Sequence, residues 1–295
     1  RYISVTGVQT CALPISTAWR SFKKAISPTH APNWKPRFAT SRPRTNRTKS
    51  ANCWRRTRLR HDAAITAHGP PGSGPLTKSI NVAYAAPFAA YIALMALQSA
   101  WPMPDAVDLA VRVVVIGAAI FAFSRGVLDF RVRTFLPTAA IGVLIFAIWI
   151  APDLLSSTYR HSIFLENAIT GKVMTSFSEE SRSSALVSAL RILRTAILVP
   201  IVEELFWRGW LMRWLIHHDV NKVALGAYSA ASFWIVALLF AAEHGPYWDV
   251  GLISGVIFNA WMIRTRSLGD LIFSHAVANG CLCAYVLATA KWEYW

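Results

Sequence analysis

The side chains able to do chemistry lie in three apolar segments of the second half of the chain. The first, VPIVEELFWRGWLMRWLI (residues 199–216), carries Glu203, Glu204 and Arg208. On a helix Glu204 and Arg208 stand four apart with the acid first, the favourable order for an ion pair. Glu203 is turned about 100° away and is left for another partner. The second segment, LLFAAEHG, spaces Phe240 and His244 by four, with Glu243 beside the histidine. The third, SHAVANG, sets His275 and Asn279 four apart on one face. A charge near the centre of a bilayer costs at least about 2.5–3.5 kcal/mol. Each group has a structural reading by itself: first-turn acids after Pro200, a helix-end histidine before Gly245-Pro246, and interhelical hydrogen bonding by His275 and Asn279. Taken together, they become affordable if they converge on one hydrated cavity and satisfy one another. A carboxylate base, histidines that titrate near neutrality and an amide donor are the parts that activate water and stabilise an oxyanion.

The elements that must position these groups are apolar helices. The chain has 295 residues and is 54% hydrophobic, with a mean hydropathy of +0.37. Apolar blocks fall at about 82–101, 106–124, 135–151, 185–216, 223–243, 248–263 and 268–290. Each is near the roughly 20 residues that a spanning helix needs. The expected fold is therefore an all-α polytopic membrane bundle of about seven spans, within a range of six to eight. The basic turns at Arg125, Arg131 and Arg133 and at Arg264–Arg266 predict a cytoplasmic end. The acids Asp105 and Asp108, the polar segment 152–184 and the closing KWEYW then fall at the outer end. In this frame His244 sits near the outer end of its block and His275 about 10 Å from the cytoplasmic end of its own. One site holding both requires a tilted, broken or re-entrant helix, with Pro200 and Gly245-Pro246 as candidate breaks.

The net charge of +15 does not belong to this body. Residues 1–82 hold 15 Lys and Arg against Asp62 alone, whereas residues 83–295 are almost balanced. The basic stretch 1–81 lacks apolar periodicity and is expected to be disordered. Its opening, RYISVTGVQTCALPIS, reads from Val5 to Ile15 as the translation of a sequencing-library adapter. The native frame is accordingly expected to begin near residue 80, and the competing reading is a basic arm for anionic lipid or nucleic acid. Nucleic-acid binding rests on that stretch alone and is not expected. Cys11, Cys53, Cys281 and Cys283 form no C-x-x-C pair, so a thiolate metal site is not expected.

The three motifs, E-E-x-x-x-R, F-x-x-x-H and H-x-x-x-N in that order, resemble the CAAX-protease and bacteriocin-processing family of intramembrane proteases. VPIVEELFWRGWLMRWL, FAAEHG, R-T-R-S-L and the Trp-rich end narrow the resemblance to the exosortase-associated branch. The likeness covers residues 82–295. It implies peptide-bond hydrolysis within the membrane, with Glu203 polarising water and His244 holding or deprotonating it. It further implies that His275 and Asn279 face the scissile carbonyl, while Glu204 pairs with Arg208. Two chemistries stay open: metal-independent glutamate catalysis, and a zinc ion held by Glu203, His244 and His275 with one open position. The implied partners are a membrane-anchored protein or peptide substrate, exosortase-system components and the lipid bilayer, in a bacterial inner membrane. A non-catalytic scaffold of the same fold is the main alternative. A proton-relay transporter is a second, and the chain shows no inverted repeat to support it.

Overall fold

The structure, a computed structural model, describes residues 80–175 and 178–295. The expectations for the basic stretch lie outside the described residues. Among the described residues there is no β-strand, and every apolar block becomes a helix. These are α1 (Ile80–Gln98 as its apolar span, continuing to Ala100), α2 (Asp105–Ser124), α3 (Phe135–Leu155) and α4 (Ala185–Trp214). They are followed by α5 (Ala230–Glu243), α6 (Trp248–Thr265) and α7 (Leu268–Thr289). By length and composition α1, α2, α3, α4 and α7 can cross a membrane, five where the sequence predicts about seven. The difference has a physical basis. Residues 223–229 of the fifth block form a turn, leaving α5 with 14 residues, about 21 Å against a hydrocarbon core of about 30 Å. α6 carries Asp249, Asn259 and Arg264 among its apolar residues. The protein is a multi-pass membrane protein built as a helical bundle.

The helix ends follow from local sequence. Ser184, Ser229 and Ser267 cap α4, α5 and α7, each accepting from the backbone N–H three residues on. α5 stops at Gly245-Pro246, where Gly245 takes a positive φ of 54°. α3 lies along α7 so closely that a Cβ on Gly142 would overlap the Ser274 carbonyl oxygen and come within 2.7 Å of Val277 Cβ. The middle of α4 is wrapped by its neighbours, and Pro200–Leu205 are all buried.

Two polar knots tie opposite ends of the bundle. At one end the buried Asp270 accepts from the Thr134 N–H at 3.0 Å, the Thr138 hydroxyl at 2.9 Å and the Arg133 N–H at 3.2 Å. This joins the two basic turns, which the loop charges place on the same side. At the other end Arg160 donates to Asp153 at 3.0 Å and Asp249 at 2.6 Å and lies over the Tyr247 ring. The Tyr294 hydroxyl also bonds Asp153, and the Tyr247 hydroxyl donates to the Glu293 carbonyl. The 152–184 segment, the α5–α6 turn and the C-terminal residues therefore meet there. Within that segment His161 and the Val173 N–H hold the Glu166 carboxyl below the usual carboxylate range.

The α3–α7 contact yields a stability prediction. Gly142→Ala forces the helices apart or distorts Val277, at a cost of about 1–3 kcal/mol. Thermal unfolding of purified protein in detergent should show a clear drop in midpoint. An unchanged midpoint would mean that the two helices do not approach this closely.

Candidate active site

α4 is not a regular helix. A six-residue α segment, Val199–Glu204, lies between two π segments, Leu193–Leu198 and Leu205–Leu211. Pro200 accounts for the first. It has no N–H to donate, and the ladder around it shifts to i→i+5 bonding, with Val199 N–H on the Arg194 carbonyl. In that register the Thr195 carbonyl would look to residue 200 and finds a proline. Asn279 of α7 supplies the missing donor, with Nδ2 2.9 Å from the Thr195 oxygen. The break expected near Pro200 is thus a widened turn sealed by a side chain from another helix.

The second π segment presents Arg208. This guanidinium is completely buried. Its Nη1 donates to Glu204 Oε1 at 3.1 Å, its Nε to Asn259 Oδ1 at 2.9 Å, and its Nη2 approaches the Gly255 carbonyl at 3.4 Å. The Phe240 and Phe258 rings lie 4.4 and 5.2 Å from its central carbon. Asn259 is itself fixed, donating Nδ2 to the Phe233 carbonyl at 2.8 Å. The Glu204–Arg208 pair anticipated from spacing is therefore present. Its wider shell on α6, Gly255, Phe258 and Asn259, was not anticipated. The available signal was one asparagine four residues after a glycine in an otherwise apolar helix.

His275 of α7 enters from the other side of Glu204. Its Nδ1 stands 2.9 Å from Glu204 Oε1, and its Nε2 4.0 Å from Glu203 Oε2. With a carboxylate as acceptor, Nδ1 carries the proton, which fixes the ring with Nε2 toward Glu203. Glu203 is 5% exposed, and its Oε2 has no hydrogen-bond partner among the described residues. The same holds for Glu204 Oε2, while the Trp207 indole N–H faces the Glu243 carboxyl. Glu243, Glu204 and Arg208 are the charged side chains that act on Glu203. Buried unmatched polar atoms are rare, and here two of them belong to adjacent carboxyl groups.

The other two sequence-predicted residues are engaged elsewhere. His244 ends α5 and turns Nδ1 onto the Phe240 carbonyl at 2.6 Å. Its ring packs edge-on against Trp149 at 5.3 Å, and Gly251 leaves it room. The Phe240 ring lies between the two histidines, 4.6 Å from His244 and 6.3 Å from His275. Asn279 has its amide committed to Thr195. The structure therefore gathers Glu203, Glu204, Arg208 and His275 into one cluster and sets His244 and Asn279 at its margins. No three His, Cys, Asp or Glu side chains stand close enough to hold a metal ion among the described residues. Glu203, His244 and His275 do not form such a group in this arrangement of side chains.

Residues 185–281 match the family described as Type II CAAX prenyl endopeptidase Rce1-like. The Rce1-like segment is about a third of the chain, runs from the start of α4 into α7, and contains all three motifs. It supports a membrane protease. No curated protein and no solved structure gives a significant match to the chain.

The Arg208 shell predicts an asymmetric response to mutation. Arg208→Gln leaves Glu204 buried without its countercharge and should cost about 3–5 kcal/mol. Asn259→Ala, which removes one bond to a charged group, should cost about 1.5–3 kcal/mol. Denaturation in detergent would check both. Equal, small losses would contradict the central place of Arg208.

Proposed function

We propose that the chain is an intramembrane endopeptidase that hydrolyses a peptide bond of a membrane-anchored protein or peptide. The observation that carries this reading is the buried carboxylate of Glu203 facing Nε2 of His275, inside the Rce1-like segment. Two atoms 4.0 Å apart can both hydrogen-bond one water at the apex of a triangle with sides of about 2.8 Å. Glu203 accepts the proton as that water attacks the scissile carbonyl. When Nε2 carries a proton it donates to the oxyanion as that forms, while Nδ1–H stays on Glu204. Arg208 and Glu204 act as positioning residues, and glutamate chemistry needs no metal in this scheme. His244 and Asn279 support the cluster from its two margins.

The resemblance to the exosortase-associated branch adds a context in the bacterial inner membrane. There the substrate would be a surface-destined protein with a C-terminal membrane segment, and exosortase-system components would be partners. The basic end of the bundle would face the cytoplasm.

One observation favours a non-catalytic scaffold as the second reading. His244 and Asn279 both spend a ring or amide nitrogen on a backbone carbonyl, as structural residues do. A cleavage assay separates the two. Purified full-length protein should cut members of a library of C-terminal transmembrane peptides. Glu203→Gln and His275→Ala should each lower the rate by about 100-fold or more while remaining folded, and chelators should leave the wild type unaffected. Unchanged rates in both variants would remove the assigned cluster from catalysis. Activity lost to a chelator and restored by zinc would replace the metal-free mechanism. No cleavage, with folded protein, would favour the scaffold.

A further inference from the structure

A second group of buried charges lies toward the start of α4, with Tyr91 of α1 between it and the Glu203 cluster. Arg112 of α2 and Arg191 of α4 are 3% and 9% exposed. Arg194, one turn beyond Arg191, has a buried Nε with no hydrogen-bond partner among the described residues. The three act on one another electrostatically, and Arg194 faces Tyr91 first and then the carboxylate of Asp108. Asp108 is already taken, with Oδ1 and Oδ2 at 2.9 and 2.8 Å from Arg112 Nε. Arg112 Nη2 is on Gln98. Arg191 lies over the Trp295 ring at 5.5 Å. Arg194 therefore keeps an unmatched donor, Nε, in a place where positive charge outweighs negative.

Depth and exposure say what can reach it. α4 has 30 residues, about 45 Å, and exceeds a hydrocarbon core of about 30 Å by roughly five residues at each end. Arg191 and Arg194 then lie within about 6 Å of the hydrocarbon boundary, at the level a headgroup phosphate can reach by modest snorkelling. Leu193 and Ile197, which flank Arg194, are 40% and 48% exposed, so the guanidinium borders the lipid-facing surface. Trp101, at the end of α1, is 73% exposed near the same level, as befits an interfacial belt.

We propose that Arg194, supported by the fields of Arg112 and Arg191, binds the phosphate of an anionic membrane lipid. A planar fork of N–H donors matches phosphate oxygens, and the partner approaches from the lipid-facing side marked by Leu193 and Ile197. The inference is independent of the protease reading. The test uses full-length protein, delipidated in detergent and titrated with phosphatidylglycerol or phosphatidylcholine, with bound lipid counted by native mass spectrometry. Wild type should prefer phosphatidylglycerol by at least about tenfold. Arg194→Lys should keep most of that preference, and Arg194→Gln should lose it about fivefold or more, while Arg125→Gln at the opposite end changes nothing. A wild type without headgroup preference overturns the proposal, whether or not Arg194→Gln folds. So does a preference that Arg194→Gln leaves intact. Inorganic phosphate competing as well as the lipid would assign the site to free phosphate instead. Displacement of phosphatidylglycerol by a transmembrane peptide with a free C-terminal carboxylate, but not by its amide, would assign it to substrate.

Discussion

A guanidinium removed from solvent has to be matched nearly atom by atom, and Arg208 is matched by three helices. Its own helix supplies Glu204, α6 supplies Asn259 and the Gly255 carbonyl, and α5 and α6 supply the faces of Phe240 and Phe258. The fourth helix joins through the anion, since His275 of α7 shares the same Glu204 oxygen. Left unpaired, each of these charges would carry a desolvation penalty of several kcal/mol. Paired, they fix how α4, α5, α6 and α7 sit around one another. Replacing such a set with apolar residues often stabilises a protein, so its presence argues for a use beyond folding.

That use is most simply the placement of Glu203. With Glu204 anchored by Arg208, the neighbouring carboxylate is turned toward His275 Nε2 and keeps an unmatched oxygen in a buried setting. The irregular backbone of α4 belongs to the same arrangement. Pro200 forces one widened turn immediately before the acids, and a second begins at Leu205 and carries Arg208. Asn279, by sealing the Thr195 carbonyl, keeps the first turn affordable in a medium without water.

Much of this was legible from local pattern. The seven apolar blocks predicted seven helices, because a helix in lipid must satisfy its own backbone and the hydrophobic run marks its length. The Glu204–Arg208 pair was legible because four residues is one helical turn. The limits are equally physical. Whether residues 223–229 continue a helix depends on tertiary contacts, and they do not, which shortens α5 below the width of the core. That His275 would bond Glu204, 71 residues away, and that Asn259 would complete the Arg208 shell, depend on helix rotation that no single-segment periodicity encodes. The roles of His244 toward water and of Asn279 toward the scissile carbonyl are implied by the family resemblance and not by spacing. Their observed partners, the Phe240 and Thr195 carbonyls, arise from the end of α5 and from the π turn at Pro200.

The central claim, that Glu204 and Arg208 form one buried unit on which the site is built, is tested most directly by a double-mutant cycle. Unfolding free energies would be measured for Arg208→Gln, Glu204→Gln and the two combined. If the pair is a unit, the double variant is less destabilised than Arg208→Gln alone, because Glu204 no longer contributes a charge stripped of its partner, and the coupling energy lies within or above about 0.5–3 kcal/mol. Losses that simply add would contradict the account and leave the placement of Glu203 without its physical cause.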